Sequence, residues 1–106
     1  MQQGPRYYWV ICGFDGEKQF FQEIIAFGAM SEKEVVALLQ RLATRDLTPL
    51  EIFSASLRKR AKRYVPLLEV HRESGSRITF SVGSNPHYVA TAVPEGLLKD
   101  FEGLYS

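Results

Sequence analysis

The sequence has a single cysteine and only two histidines, and this scarcity excludes several kinds of site. Cys12 cannot form an internal disulfide, and one thiol with two distant imidazoles cannot supply the ligands of a zinc or iron–sulfur centre. No apolar run approaches the roughly 18 residues that a membrane-spanning helix needs. The opening residues also lack the apolar region of a signal peptide. We therefore expect a cytoplasmic protein that holds no metal and no cofactor.

Length and composition are typical of a small globular protein. The chain has 106 residues, of which 45% are hydrophobic and 24% are charged. This is enough apolar material for one core but not for separate catalytic and regulatory units. We expect a single domain over residues 1–106 with one principal site or binding surface.

Charge is balanced overall but unevenly distributed. Five of the 13 basic residues fall within six positions, which leaves 8 basic against 12 acidic residues in the rest of the chain, a balance of −4. The five are Arg58, Lys59, Arg60, Lys62 and Arg63. This basic segment therefore stands out against a mildly acidic remainder.

The first part of the chain has the pattern of a β-hairpin. Residues Tyr7 to Phe14 include aromatic, apolar and β-branched side chains at both odd and even positions, as in a strand covered on both faces. Asp15-Gly16 follows and is a common signal for a type I′ turn, and Lys18 to Phe27 continues in strand composition. We predict a hairpin with a central first strand.

A helix is predicted to follow this hairpin. Ser31 and Glu34 have the spacing of a capping box, in which each side chain bonds the other residue's backbone N–H. An apolar stripe at offsets of three, four and seven comes next: Val35, Leu38, Leu39 and Leu42. Thr44-Arg45-Asp46 ends the pattern.

The segment after this helix has two interpretations. Thr48 and Glu51 form a second capping box, with Pro49 at the first helical position. Helical spacing then continues through Leu50, Phe53, Leu57, Ala61 and Tyr64, which favours a helix over residues 49–63. The alternative is a third strand, because Ile52, Phe53, Ser54 and Ser56 are tolerated in strands.

Three further strands are predicted in the second half of the chain. Tyr64 to His71, Arg77 to Val82 and Tyr88 to Val93 have strand composition and are separated by turn-forming residues. Pro94-Glu95 then opens a short terminal helix that carries Leu97, Leu98, Phe101 and Leu104. The predicted class is α+β: a mainly antiparallel sheet of about five strands, one or two helices after the first hairpin, and a short C-terminal helix.

The first half of the chain also resembles a known arrangement. The order of predicted elements consists of a strand, the Asp15-Gly16 turn, a second strand, the helix start at residues 31–34 and then Leu47-Thr48-Pro49-Leu50-Glu51-Ile52. This order is similar to the ββαβ start of inner-membrane platform proteins of type II secretion and type IV pilus systems. The similarity covers less than half of the chain and rests on turn and capping residues. It implies a strand, rather than a second helix, after the first helix.

The basic segment is the main candidate for a binding site. Clustered guanidinium and ammonium groups attract phosphates and release counterions on binding, and Tyr64 with nearby Arg72 and Arg77 can extend such a surface. Two other interpretations are a solvated surface that aids solubility and a patch for an acidic protein.

No catalytic constellation is recognisable. Cys12 lies within an apolar strand pattern typical of a buried thiol, and His71 and His87 lie beside predicted turns. We therefore expect a non-catalytic interaction module that binds a protein partner or self-associates. The alternative is an RNA- or DNA-binding domain that uses residues 58–63.

Overall fold

Five antiparallel strands form one sheet in a computed structural model, which describes residues 6–102 and, of these, the side chains of residues 6–101. The strands are β1 Tyr7–Asp15, β2 Lys18–Ala26, β3 His71–Glu73, β4 Thr79–Gly83 and β5 His87–Pro94. Their order across the sheet is β2-β1-β5-β4-β3. The helices are α1 Glu32–Thr44, α2 Pro49–Ala55 and α3 Lys99–Glu102. The predicted α+β class and five-stranded sheet are confirmed.

The β1–β2 hairpin is confirmed, but its turn differs from the predicted type I′. Asp15 is the last residue of β1 and pairs with Lys18, so Gly16 and Glu17 are the two loop residues. Among the described residues only glycines have positive φ, and Gly16 has φ 64°. Positive φ at the first central residue alone is the pattern of a type II′ turn. The Gly16 N–H also donates to Asn85 Oδ1 at 2.9 Å, which ties the turn to the β4–β5 loop.

A β-bulge interrupts the hairpin near its turn. Gly13 pairs with Phe21 while Phe14 pairs with Gln19, so Phe20 is the extra residue on β2. The rings of Phe20 and Tyr88 meet edge to face with centroids 5.8 Å apart. They do so over Gly13, where a Cβ atom would lie 2.9 Å from Tyr88 Cε1. The absence of a side chain at Gly13 is what admits the two rings.

Helix α1 covers one face of the sheet. Both halves of its capping box are present, with the Glu34 N–H donating to Ser31 Oγ at 3.1 Å and the Ser31 N–H to Glu34 Oε1 at 2.9 Å. The helix buries Val35, Leu39 and Ala43 against the sheet. Trp9 is fully buried in the same cluster and donates through Nε1 to the Met30 carbonyl at 3.0 Å.

A smaller cluster lies on the opposite face of the sheet. Val10, Cys12 and Val93 form its centre, and Leu97, Leu98 and Phe101 pack on it from the C-terminal segment. This segment is a 3-10 turn over Glu95–Leu97 followed by α3, which confirms the predicted short terminal helix. Leu104, which was predicted to belong to it, lies outside the described residues.

The predicted helix over residues 49–63 is wrong in its length. Helix α2 begins with the predicted capping box and ends at Ala55. Continuing it would place like charges at i,i+4 in the pairs Arg58–Lys62 and Lys59–Arg63, which destabilises a helix. Because α2 has no buried residue, no packing offsets that cost. The segment after α1 is nevertheless a helix, so the ββαβ order implied by the resemblance is not found.

The predicted strand from Tyr64 to His71 is also wrong. Only His71–Glu73 forms a strand, and residues 64–70 are irregular. Pro66 has no N–H to donate to a ladder, which disfavours a strand through this apolar run. Leu68 and Val70 pack on the core from this irregular chain instead. Within residues 6–102, none of the helices has both the length and the apolar character needed to cross a bilayer.

Candidate functional site

The basic segment lies in two successive turns directly after α2. The Ala61 N–H donates to the Arg58 carbonyl at 2.9 Å, and the Tyr64 N–H donates to the Ala61 carbonyl at 3.1 Å. All five cationic residues are exposed. The five cations therefore face solvent from these turns, and not from one face of a helix over residues 49–63.

These cations are little neutralised by neighbouring carboxylates. Among residues 6–102, the only side-chain ion pair joins Arg72 to Glu32. Glu69 is a carboxylate that interacts with one of these cations. The hydrogen bond from Tyr64, and then the positive charge of Lys59, lower the pKa of Glu69. The positive charge of the basic segment is therefore available to a partner.

Tyr64 has a structural contact rather than the open aromatic face that was expected. It is half-buried, and its hydroxyl donates to Glu69 Oε2 at 2.7 Å. This hydrogen bond raises the pKa of Tyr64. The Tyr64 side chain lines the cleft beside the basic segment, and its hydroxyl is hydrogen-bonded within the chain.

Exposed apolar side chains adjoin the cations, and the sequence interpretation missed them. Leu50 is 62% exposed and Phe53 is 51% exposed, on the same side of α2 at a spacing of three. Val65, 41% exposed, is held beside α2 by a hydrogen bond from its N–H to the Ser54 carbonyl at 3.4 Å. The Arg63 guanidinium lies 5.2 Å from the centroid of the Phe53 ring. We call these three apolar residues and the five cations the α2 surface.

A cleft of about 460 Å³ opens next to this surface, between the end of α2, the basic turns and α1. Its apolar lining includes Leu57, Tyr64 and Leu68. Arg58 and Lys59 contribute positive charge, which the Glu69 carboxylate in the same lining partly offsets. Gln40 of α1 donates to the Leu68 carbonyl at 3.0 Å and fixes the wall opposite α2. A cleft of this size and lining can accept one or two apolar side chains of a partner.

Arg72 and Arg77, which were expected to extend the basic surface, have other contacts. Arg72 Nη1 donates to Glu32 Oε1 at 2.6 Å, and its guanidinium lies 5.4 Å from the Phe80 ring centroid. Arg77 lines a separate cleft together with Tyr7 and Phe27. The site is thus confined to α2 and the residues that follow it.

The three residues considered for catalysis lie in different environments. Cys12 is buried in the second cluster, and that burial raises the pKa of its thiol, which disfavours the nucleophilic thiolate. His87 stacks on Phe14 with ring centroids 5.1 Å apart. His71 is an exposed residue at the start of β3.

No protein-family model, curated protein or solved structure matches this chain. Within residues 6–102, no group of three or more His, Cys, Asp or Glu side chains is placed to hold a metal ion. The α2 surface is a described region in which exposed apolar side chains and clustered cations adjoin each other.

Proposed function

We propose that this chain is a non-catalytic interaction module that binds an acidic protein segment carrying apolar side chains. The observation that carries the proposal is the proximity of exposed Phe53 to the basic segment, since the Arg63 guanidinium lies over its ring, 5.2 Å from the centroid. A partner that matches this surface needs negative charge and apolar groups at the same time. An acidic segment with leucine or phenylalanine side chains has both.

The apolar part of the α2 surface supplies affinity. Full burial of a leucine or phenylalanine side chain contributes about 1.5–3 kcal/mol. Leu50 and Phe53 are more than half exposed, so much of that free energy remains available to a partner. The adjacent cleft offers space for apolar side chains of the partner.

The cationic part of the α2 surface orients the partner and raises its rate of association. Outside residues 58–63 the chain has 8 basic and 12 acidic residues, so an acidic partner is repelled by most of the surface and attracted here. Such charge complementarity accelerates encounter and suppresses wrong orientations. Binding is therefore expected to weaken with rising salt without being abolished, because the apolar contacts are not screened.

The proposal is tested with a short fluorescent peptide that alternates pairs of Glu and Leu, by anisotropy at low and physiological salt. Wild type is expected to bind it. Changing Leu50 and Phe53 to Ser should weaken binding at both salt concentrations, because the apolar contacts are lost. Reversing Arg58, Lys59 and Arg60 to Glu should weaken it most at low salt.

The matched control reverses three exposed cations elsewhere on the chain: Lys33, Arg77 and Lys99 to Glu. It changes net charge by the same amount as the α2-surface triple reversal and should retain most of the binding. Equal loss in the two triple variants would show that net charge, and not the α2 surface, governs binding. A peptide in which Ser replaces every Leu should bind more weakly than the parent, and equal affinity would contradict the apolar contribution.

Nucleic-acid binding is the second candidate, and the five exposed cations beside an aromatic ring favour it. Phosphates would pair with the cations and a base could stack on Phe53. The exposed aliphatic side chains of Leu50 and Val65 have no counterpart in a polyanionic backbone, which is why we rank this function second.

Labelled single-stranded RNA and duplex DNA separate the two functions in the same anisotropy assay. If the cations contact phosphates, each lost contact should lower the slope of log affinity against log salt by about one unit. Submicromolar RNA or DNA binding at physiological salt, abolished by reversal of Arg58, Lys59 and Arg60 in a folded protein, would replace the proposed function. No binding even at low salt would remove the nucleic-acid alternative.

A further inference from the structure

We infer that β2 pairs antiparallel with β2 of a second copy of this chain, joining the two sheets into one. Within residues 6–102, β2 is an edge strand of nine residues whose outer backbone groups have no neighbouring strand. It contains no proline, and Lys18 and Glu23 are its only charged residues. Long edges with so few charges readily accept another strand.

The opposite edge of the same sheet is protected. β3 has three residues, His71, Arg72 and Glu73, all of them exposed and polar. Arg72 is further held by its ion pair with Glu32 of α1. Short, charged edges resist strand addition, so the two edges of this sheet differ in what they can accept.

Each of the two hydrophobic clusters includes a partly buried isoleucine of the edge strand β2. Ile25 packs on the cluster that contains Trp9, and Ile24 packs on the cluster around Val10 on the other face. Both isoleucines are only half-buried. A strand added along β2 would cover one isoleucine on each face and extend both clusters at once.

The β2 sequence is compatible with itself in the register centred on Ile24. A twofold axis perpendicular to the sheet pairs residues that face the same side. Centring it on Gln22 extends the pair onto the bulged Phe20, and centring it on Glu23 opposes two carboxylates. Centring it on Ile24 pairs Ile24 with its counterpart, Glu23 with Ile25, and Gln22 with Ala26. The small Ala26 side chain leaves room for the opposing Gln22, so we assign this register.

The assignment is tested by sedimentation velocity over a concentration series, with two double variants at the paired positions. Gln22→Lys with Ala26→Lys opposes lysine to lysine at both ends of the interface and should abolish association. Gln22→Glu with Ala26→Lys opposes carboxylate to ammonium at the same positions and should restore a dimer. Residues 22 and 26 of one strand lie about 13 Å apart, so the swap acts between copies and not within one.

We expect the monomer to tolerate these changes, because Ala26 is exposed and Gln22 is half-buried and makes one side-chain hydrogen bond, accepted from Gln19 Nε2 at 2.9 Å. Circular dichroism and thermal melting check that each variant is folded. A concentration-dependent dimer that is lost in the double-lysine variant and recovered in the charge-swap variant supports the assignment. A wild type that is monomeric at every concentration overturns it, and so does a dimer that both variants leave intact or that neither variant forms. Dimerisation by β2 does not use the α2 surface, so reversal of Arg58, Lys59 and Arg60 should leave it unchanged.

Discussion

Gly13 lies where the Tyr88 and Phe20 rings meet over β1, so adding a single methyl group there tests the packing of this end of the sheet. In Gly13→Ala the new Cβ would lie 2.9 Å from Tyr88 Cε1 and 3.0 Å from Phe20 Cζ. Carbon atoms in contact prefer about 3.5–4.0 Å, so the rings must retreat by roughly 0.5–1 Å. The exposed Phe20 ring can swing outward, whereas Tyr88 is buried and donates to Asp46 Oδ2 at 2.8 Å.

The expected loss follows from two opposing terms. Overpacking a fitted site costs about 1–3 kcal/mol. Replacing glycine by alanine also restricts the unfolded chain, which returns about 0.4–1 kcal/mol. We therefore expect Gly13→Ala to lower the free energy of unfolding by about 1–2 kcal/mol.

Urea unfolding followed by Trp9 fluorescence measures this change, because Trp9 is fully buried and is the only tryptophan. Gly28→Ala is the matched control, since a Cβ at Gly28 would meet no atom within 4 Å. The control should be neutral or slightly stabilising. Adding Phe20→Leu to Gly13→Ala should recover part of the loss. A Gly13→Ala protein as stable as wild type would refute the close approach of the rings.

Three further predictions concern local structure. Gly16→Val should lower the melting temperature, because a β-branched residue is strained at the observed φ of 64°; an unchanged value would contradict the turn. Ser31→Ala should cost about 1 kcal/mol in urea unfolding through loss of the α1 cap, and equal stability would argue against the capping box. Burial, and then the hydrogen bond to Asp46, raises the pKa of Tyr88 to about 12, above the value of about 10 for a free phenol. The folded state thus holds this proton more tightly, so its stabilising contribution is complete below pH about 10 and is lost towards pH about 12. Tyr88→Phe should show a smaller decline in stability over that interval, and parallel curves for the two proteins would contradict it.

The elements that were predicted correctly are those whose determinants are local in sequence. The α1 capping box and its apolar stripe lie within a few residues of each other, and the hairpin follows from β-branched and aromatic residues around a glycine turn. Central placement of β1 was also predictable, because residues of both parities are apolar, and Trp9 and Val10 are indeed buried on opposite faces. Secondary structure and the α+β class therefore followed from short-range patterns.

The α2 surface was only half predictable, because periodicity shows which residues share a face but not whether that face is covered. Leu50 and Phe53 have the spacing of a buried stripe, yet α2 has only seven residues and packs no side chain into the core. The run of cations that identified the site also limits the helix, since like charges at i,i+4 oppose its continuation. Burial depends on contacts between distant parts of the chain, and these were not visible in the local pattern.

The β2 edge could not be recognised before the strand order was known. The composition of β2 predicts a strand, but its position at the margin of the sheet is set by β5 pairing with the other side of β1. Only that topology leaves Ile24 and Ile25 with β1 on one side and, among the described residues, no strand on the other.

Titration of the isotopically labelled protein with the Glu–Leu peptide, followed by amide chemical shifts in NMR, tests the central claim most directly. We predict that the largest shift changes fall within residues 49–65 and Leu68, and that they disappear in the variant with Leu50 and Phe53 changed to Ser. The amide resonances of β2 and of the α1 residues that lie away from the cleft should not shift. Shift changes that avoid residues 49–65, or a spectrum that does not respond at peptide concentrations well above that of the protein, would contradict the assignment of the α2 surface as a protein-binding site.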